Sequence, residues 1–165
     1  KGVRILDLTS VVFGAYATQM LGDQGAEVTL LELADFELPL YNGDLEAQGT
    51  PNKVRELKAI VHAHPAWIIC SPEYNGSYTG LLKNTIDWAS SPVKGHPAWA
   101  SDSKPFAGKV VGLLSASNGA LGGLRSLGHL NPLLLNLHCW VCPQQYALSR
   151  ASGMRFRNSP ESLVR

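Results

Sequence analysis

Apolar residues come along this chain in short blocks set between amphipathic stretches and turn residues. Val3 to Leu8 reads as a strand, followed by an apolar helix from about Gly14 to Gly22. Ala26 to Leu31 is a second strand. The long connection from Ala34 to Asn52 carries Pro39, Asn42-Gly43 and Gly49, all turn signals. Pro51 opens a helix with Val54, Leu57, Ile60 and Val61 on one face. Ala66 to Cys70 is apolar throughout, the mark of a parallel strand covered on both faces. A loop from Ser71 to Thr79 leads into a helix over Gly80 to Ala89, then a surface excursion from Pro92 to Lys104. Lys109 to Ser115 is a further buried strand and Ser117 to Gly123 a small-residue loop. Leu124 to Leu137 is a helix passing into a fifth strand, Leu137 to Val141.

Five strands interleaved with helices predict an α/β fold, a doubly wound five-stranded parallel sheet with helices on both faces. The prediction is a single domain over residues 1–165, with residues 143–165 as a tail made basic by Arg150, Arg155, Arg157 and Arg165. Ligands of such sheets sit outside the carboxyl ends of the strands. The loops after strands one, three and four are therefore the places to look for chemistry.

After strand three the chain reads Ser71-Pro72-Glu73-Tyr74-Asn75-Gly76-Ser77-Tyr78-Thr79-Gly80. Pro, Asn-Gly and a following Gly force tight turns that expose main-chain groups, and the tyrosines offer planar faces. This suits a flat heteroaromatic ligand bonded at its edge and covered on one face. Strand four delivers Ser115-Ala116-Ser117-Asn118-Gly119-Ala120-Leu121-Gly122-Gly123, small enough to bring a second loop against the same ligand.

Composition narrows the field. The 165 residues are 45% hydrophobic and 16% charged, enough to bury a core, and the formal charge of +1 gives no field to hold nucleic acid or an anionic membrane. No apolar run approaches the ~20 residues that span a bilayer. The chain opens at Lys1 without an initiator Met or a leader-like segment, which reads as a fragment or a processed chain.

Cys70, Cys139 and Cys142 are too few and odd in number for a secreted disulfide framework. In a strand, Cys139 and Cys142 would point to opposite faces ~10 Å apart, so they read as small buried residues rather than a disulfide or zinc pair. His62, His64, His96 and His129 show no ligand spacing, and no metal is expected.

The motifs resemble a known family. Pro72 to Ser77, followed by Gly80-Leu81-Leu82-Lys83-Asn84-Thr85-Ile86-Asp87-Trp88-Ala89-Ser90, is similar to the signature of the NAD(P)H-dependent FMN reductases. These are flavodoxin-like proteins that include quinone and chromate reductases. Ala34 to Asn42, Pro105 to Lys109 and Leu114 to Gly123 also match, so the resemblance covers about residues 27–150.

The first 30 residues depart from it. A loop that wraps the FMN phosphate with an Arg is expected there, but Thr9 to Thr18 has no Arg and carries Val11-Val12-Phe13. The helix N-terminus still offers N–H groups, and Thr9, Ser10 or Tyr16 a hydroxyl. The lost contacts would cost ~2–4 kcal/mol of binding. Gly2 to Thr9, Gly14 to Asp23 and Gly25 to Val28 instead resemble the opening βαβ unit of class III CoA-transferases, as if a β1–α1 unit had been grafted.

The resemblance implies hydride transfer from NAD(P)H to FMN and on to a quinone, dye or metal oxyanion, in a cytoplasmic homodimer or homotetramer. The cofactor-binding candidates are Thr9, Ser10, Pro72, Glu73, Tyr74, Asn75, Gly76, Ser77, Ser115, Ser117, Asn118 and Gly119. No catalytic side chain is named, because the isoalloxazine ring itself accepts the hydride. Lys83 and Asp87 are spaced to pair, Trp88 and Trp99 are expected exposed at a subunit interface, and Arg125 is either a surface Arg or a partner for a cofactor phosphate. The rival reading is a non-catalytic folded chimera whose damaged phosphate loop leaves a structural or oligomerisation domain.

Overall fold

The computed structural model describes residues 2–9, 12–100 and 104–153. Strand β1 (Arg4–Thr9) leads into helix α1 (Val12–Asp23) and β2 (Glu27–Leu30). Helices α2 (Gly43–Gln48) and α3 (Asn52–Ala63) precede β3 (Ala66–Cys70), and α4 (Gly80–Ser90) precedes β4 (Val110–Ala116). Helix α5 (Leu124–Asn136) is followed by two short strands, β5 (Trp140–Val141) and β6 (Tyr146–Leu148). The sheet order is β2-β1-β3-β4-β5, with β6 also on β4, and every pairing is parallel. This is the doubly wound order with its switch point between β1 and β3.

One sheet face holds the core. Leu6 and Leu8 stand beside Trp67 and Ile69, which stand beside Val111 and Leu113, all below a tenth exposed. Leu57 of α3, Leu82 and Ile86 of α4 and Leu127 and Leu130 of α5 close over them. Trp67 meets Phe106 edge to face at 5.1 Å. The opposite face turns Ile5 and Asp7 toward α1, where the Thr18 hydroxyl donates to the Asp7 carboxylate at 2.5 Å.

Four expectations are corrected. The fifth strand is two short ones split at Cys142–Gln145, because Leu137 caps α5 and His138 turns left-handed at φ 63° before pairing starts at Trp140. Strand β4 is buried on one face only: α1 touches β1, β2 and β3, and leaves Val110, Trp140 and Tyr146 exposed beyond it. The long connection contains a 3-10 turn at Leu33–Phe36 and helix α2, started by the Asn42 side chain accepting from the Asp44 N–H.

Trp88 and Trp99 are buried rather than exposed. The Trp88 indole N–H donates to the Pro39 carbonyl at 2.7 Å, and Asn84 holds the same segment through Pro39 and Tyr41. Trp99 stacks on His96 with ring centroids 3.9 Å apart. Lys83 and Asp87 do pair, at 2.6 Å. Among the described residues no cysteine forms a disulfide, and burial pushes the Cys139 thiol up to about 12. Among the described residues no helix is long and apolar enough to cross a membrane, and no cluster of three or more His, Cys, Asp or Glu could hold a metal.

Candidate functional site

The loop after β3 is built around an Asn-Gly turn. The Tyr74 N–H donates to the Ser77 carbonyl at 2.8 Å and the Ser77 N–H returns to Tyr74 at 3.0 Å, closing a two-residue hairpin. Asn75 and Gly76 sit at φ 51° and 82°, the left-handed pair such a turn requires. Among the described residues no hydrogen bond engages their two N–H groups. Tyr74 is 62% exposed beside them. Thr79 ends the loop by capping α4, its hydroxyl accepting from the Leu82 N–H at 3.1 Å.

The loop after β4 is tied down from the other side. Its Ser117 hydroxyl accepts from the Gly119 N–H at 3.1 Å, and the Asn118 side chain accepts from the Ser152 N–H at 3.0 Å. The chain returning from β6 adds bonds from Arg150 N–H to Gly119 and from Ala151 N–H to Ser117. Gly123, at φ 87°, passes so close to β4 that an added Cβ would lie 1.8 Å from the Ser115 Oγ. That contact and 3.6 Å to the Glu73 Cβ fix how near the two loops stand.

The structure therefore separates the predicted residues into two groups. Tyr74, Asn75 and Gly76 present an exposed ring or main-chain donors at the carboxyl end of the sheet, while the Ser77 N–H is spent on Tyr74 and its hydroxyl meets His129. Glu73 does not: its carboxylate accepts from the Arg125 Nε at 2.8 Å and the Arg125 N–H at 3.2 Å, and pairs with Nη2 at 2.5 Å. The guanidinium beside it and the N–H groups at the head of α5 hold the Glu73 carboxyl below its usual range. Ser115 is fully buried and donates to the Ser71 carbonyl at 2.8 Å, while the Ser71 hydroxyl donates to Pro72 at 3.1 Å. Ser117, Asn118 and Gly119 use their polar groups on the loop itself and on the 150–152 return.

Of the first-loop candidates, Thr9 is placed by its main chain, paired with Cys70 at the end of β1, and Ser10 lies outside the described residues. Helix α1 starts at Val12, immediately beyond the carboxyl end of β1, and has no acid in its first turn. Its N–H groups there suit a phosphate. A cavity of about 550 Å3 bounded by Glu46, Thr50, Arg55 and Lys94 shares no residue with these loops.

Sequence reading missed the contribution of α5. Arg125 and His129, one turn apart, reach the same loop: His129 Nδ1 lies 3.0 Å from the Ser77 Oγ. The i,i+4 spacing of a cation and a histidine at the head of the helix after loop four was the available signal.

The family model for NADPH-dependent FMN reductase matches residues 9–153. The chain belongs to that family. It is 34% identical over 140 residues to the NADPH azoreductase of Bacillus sp. (strain OY1-2), covering 85% of this chain and 68% of the relative. It is 41% identical over 108 residues to an NAD(P)H-dependent FMN reductase of Pseudomonas aeruginosa, covering 65% and 54%. The chain thus spans 68% and 54% of the length of these two relatives. Among solved structures, FerB of Paracoccus denitrificans, a flavoenzyme NAD(P)H:(acceptor) oxidoreductase, superposes with TM-score 0.67 at 28% identity, over 88% of this chain and 78% of that one. The family match runs through most of the first 30 residues, and the comparisons do not show the CoA-transferase likeness of that segment.

Proposed function

We propose that this chain is a flavin-dependent oxidoreductase that takes electrons from NAD(P)H by way of FMN and delivers them to quinone-, dye- or metal-oxyanion-type acceptors. The observation that carries the reading is the pair of loops at the ends of β3 and β4, standing against each other within the segment matched by the FMN reductase family. The residues present fit FMN: an open N–H pair at Asn75 and Gly76, an exposed Tyr74 ring, and the head of α1 without an acid. When bound, FMN supplies the hydride-accepting ring.

The chain's own residues bind and orient. Asn75 and Gly76 would donate main-chain N–H bonds to a ring edge, Tyr74 would cover a face, and the α1 N-terminus with Thr9 and Ser10 would take the phosphate. Ser115 would act through the Ser71 carbonyl it holds, and Glu73 through Arg125. Pro72, Ser117, Asn118 and Gly119 would shape the walls, and a homodimer or homotetramer would complete the cleft. We also propose a cytoplasmic location, a reducing compartment in which Cys70, Cys139 and Cys142 would stay as thiols.

The test is a visible spectrum and an FMN titration followed by flavin fluorescence, then NADPH oxidation with a quinone. Saturable binding with acceptor-dependent oxidation supports the reading. A folded protein that binds no FMN at tens of micromolar would refute it and favour the non-catalytic alternative.

A further inference from the structure

The geometry points to the head of helix α5 as the positioning platform of the 73–77 turn, with Glu73, Arg125 and His129 as positioning residues and the main chain of Asn75 and Gly76 as the group positioned. The inference rests on the FMN reading above for its functional consequence, and on geometry alone for the platform.

Three attachments lie along the first turns of α5. Arg125 binds Glu73 through its Nε, Nη2 and main-chain N–H, so one carboxylate joins loop three to the helix head. One turn later His129 meets the Ser77 hydroxyl on the other side of the turn. Between them the Ser126 hydroxyl donates to the Gly123 carbonyl at 2.8 Å and stands 3.4 Å from Ser115, whose own hydroxyl holds Ser71. The turn is thus gripped at its start, at Glu73, and at its end, at Ser77. Its tip, at Asn75 and Gly76, is left open.

The guanidinium also lies under the tip. A Cβ added at Gly76 would find Arg125 Nε at 3.9 Å and nothing nearer. The guanidinium holds one carboxylate oxygen, Oε1, through both Nε and Nη2, and the Arg125 main-chain N–H holds the other, so Glu73 is fixed at both oxygens. An ammonium in its place keeps the charge and loses the paired grip on Oε1. Because the carboxylate is engaged, Glu73 is not offered to the flavin or to a substrate as a proton donor. Its role is to orient the two N–H groups beyond it.

The experiment compares wild type with Glu73→Gln, Arg125→Lys, the double variant and His129→Ala. In flavin-free protein, urea unfolding of the first four gives a double-mutant cycle. The platform predicts non-additive midpoints, with the double variant no less stable than the weaker single variant; independent, additive shifts overturn it. In parallel, FMN is titrated at a temperature where every variant is folded. The expected result is a rise in the FMN dissociation constant of roughly tenfold for Arg125→Lys, less for His129→Ala, and no further loss in the double variant. Unchanged FMN affinity in variants that have lost stability overturns the positioning role. If wild type binds no FMN, the flavin reading fails, while the urea cycle still decides whether the platform exists.

Discussion

Lys58 is the most exacting test of the energetics of this fold. It lies on α3, is 0% exposed, and carries its ammonium into the end of α4. There Nζ donates to the carbonyls of Ala89 at 2.6 Å, Ser91 at 2.5 Å and Trp88 at 3.3 Å. These are carbonyls a helix end leaves without partners. Replacing Lys58 with Met keeps the apolar stem and removes the donor. Trp88 retains a second donor, the Ser91 hydroxyl at 2.8 Å, so two buried acceptors are stranded. At about 1–3 kcal/mol each they cost roughly 2–6 kcal/mol, offset by release of an ammonium whose burial is itself costly. The expected net loss is about 2 kcal/mol, or about 4–8 °C in Tm for a domain of this size.

Circular dichroism melts and urea titrations at pH 7 make the comparison. If Lys58→Met is as stable as wild type or more so, dehydration of the ammonium outweighs its bonds and the reasoning fails. The pH dependence has a definite sign. Burial brings the Lys58 pKa down from 10.5 to about 8, so between those values the unfolded chain holds a proton that the folded chain has released. Stability from this group therefore rises with pH across that window, and the neutral amine still offers two N–H donors. The deficit of Lys58→Met should be larger at pH 9.5 than at pH 7.

The other predictions concern the loops and the thiols. Gly123→Ala forces a Cβ to 1.8 Å from Ser115 Oγ at φ 87°, so the loops must part; thermal melts should show a loss of more than about 2 kcal/mol and titration should show lost FMN binding. Gly76→Ala has room, with nothing nearer than 3.9 Å, and should cost only the left-handed backbone, about 1 kcal/mol by the same melts. Because Arg125 holds the Glu73 carboxyl below 4.5, its contribution is present above 4.5 and is lost as pH falls through the lowered value; acid titration of wild type against Glu73→Gln should show that loss only in wild type. In native protein, thiol labelling followed by peptide mapping should mark Cys142 and spare Cys70 and Cys139, which are buried.

Much of this was legible in the residues because local and global signals agree. Ala66 to Cys70 is apolar at every position and is a central strand; Asn75-Gly76 supplies the turn its dipeptide implies. What escaped were contacts set by distant segments. Nothing local in Trp88 says that its N–H will find Pro39 and bury the ring, and nothing in Glu73 names a partner 52 residues away. The break in the fifth strand also escaped, because the apolar run from Leu133 to Val141 continues past the point where α5 ends. Lys109 to Ser115 reads as a further buried strand, but α1 packs on β1, β2 and β3, and one side of β4 is left partly open.

The division of labour within the site follows from the same comparison. Thr9 to Thr18 contains no Arg, a deficit of ~2–4 kcal/mol against a loop that grips a phosphate with one. Under the proposed function that loss falls on the phosphate end of FMN and corresponds to a weakening of roughly 30- to 700-fold. Binding then depends more heavily on the ring end, where the open N–H pair of Asn75 and Gly76 stands. A two-residue turn on a free loop is a poor anchor, since ordering it on binding costs entropy. Here the ordering is done in advance, by Arg125 on Glu73, His129 at Ser77 and Gly123 packed onto Ser115. The weaker the phosphate end, the more the affinity rests on that preorganisation. Under the proposed function, single side chains at the head of α5 are accordingly expected to influence flavin binding through the turn they hold.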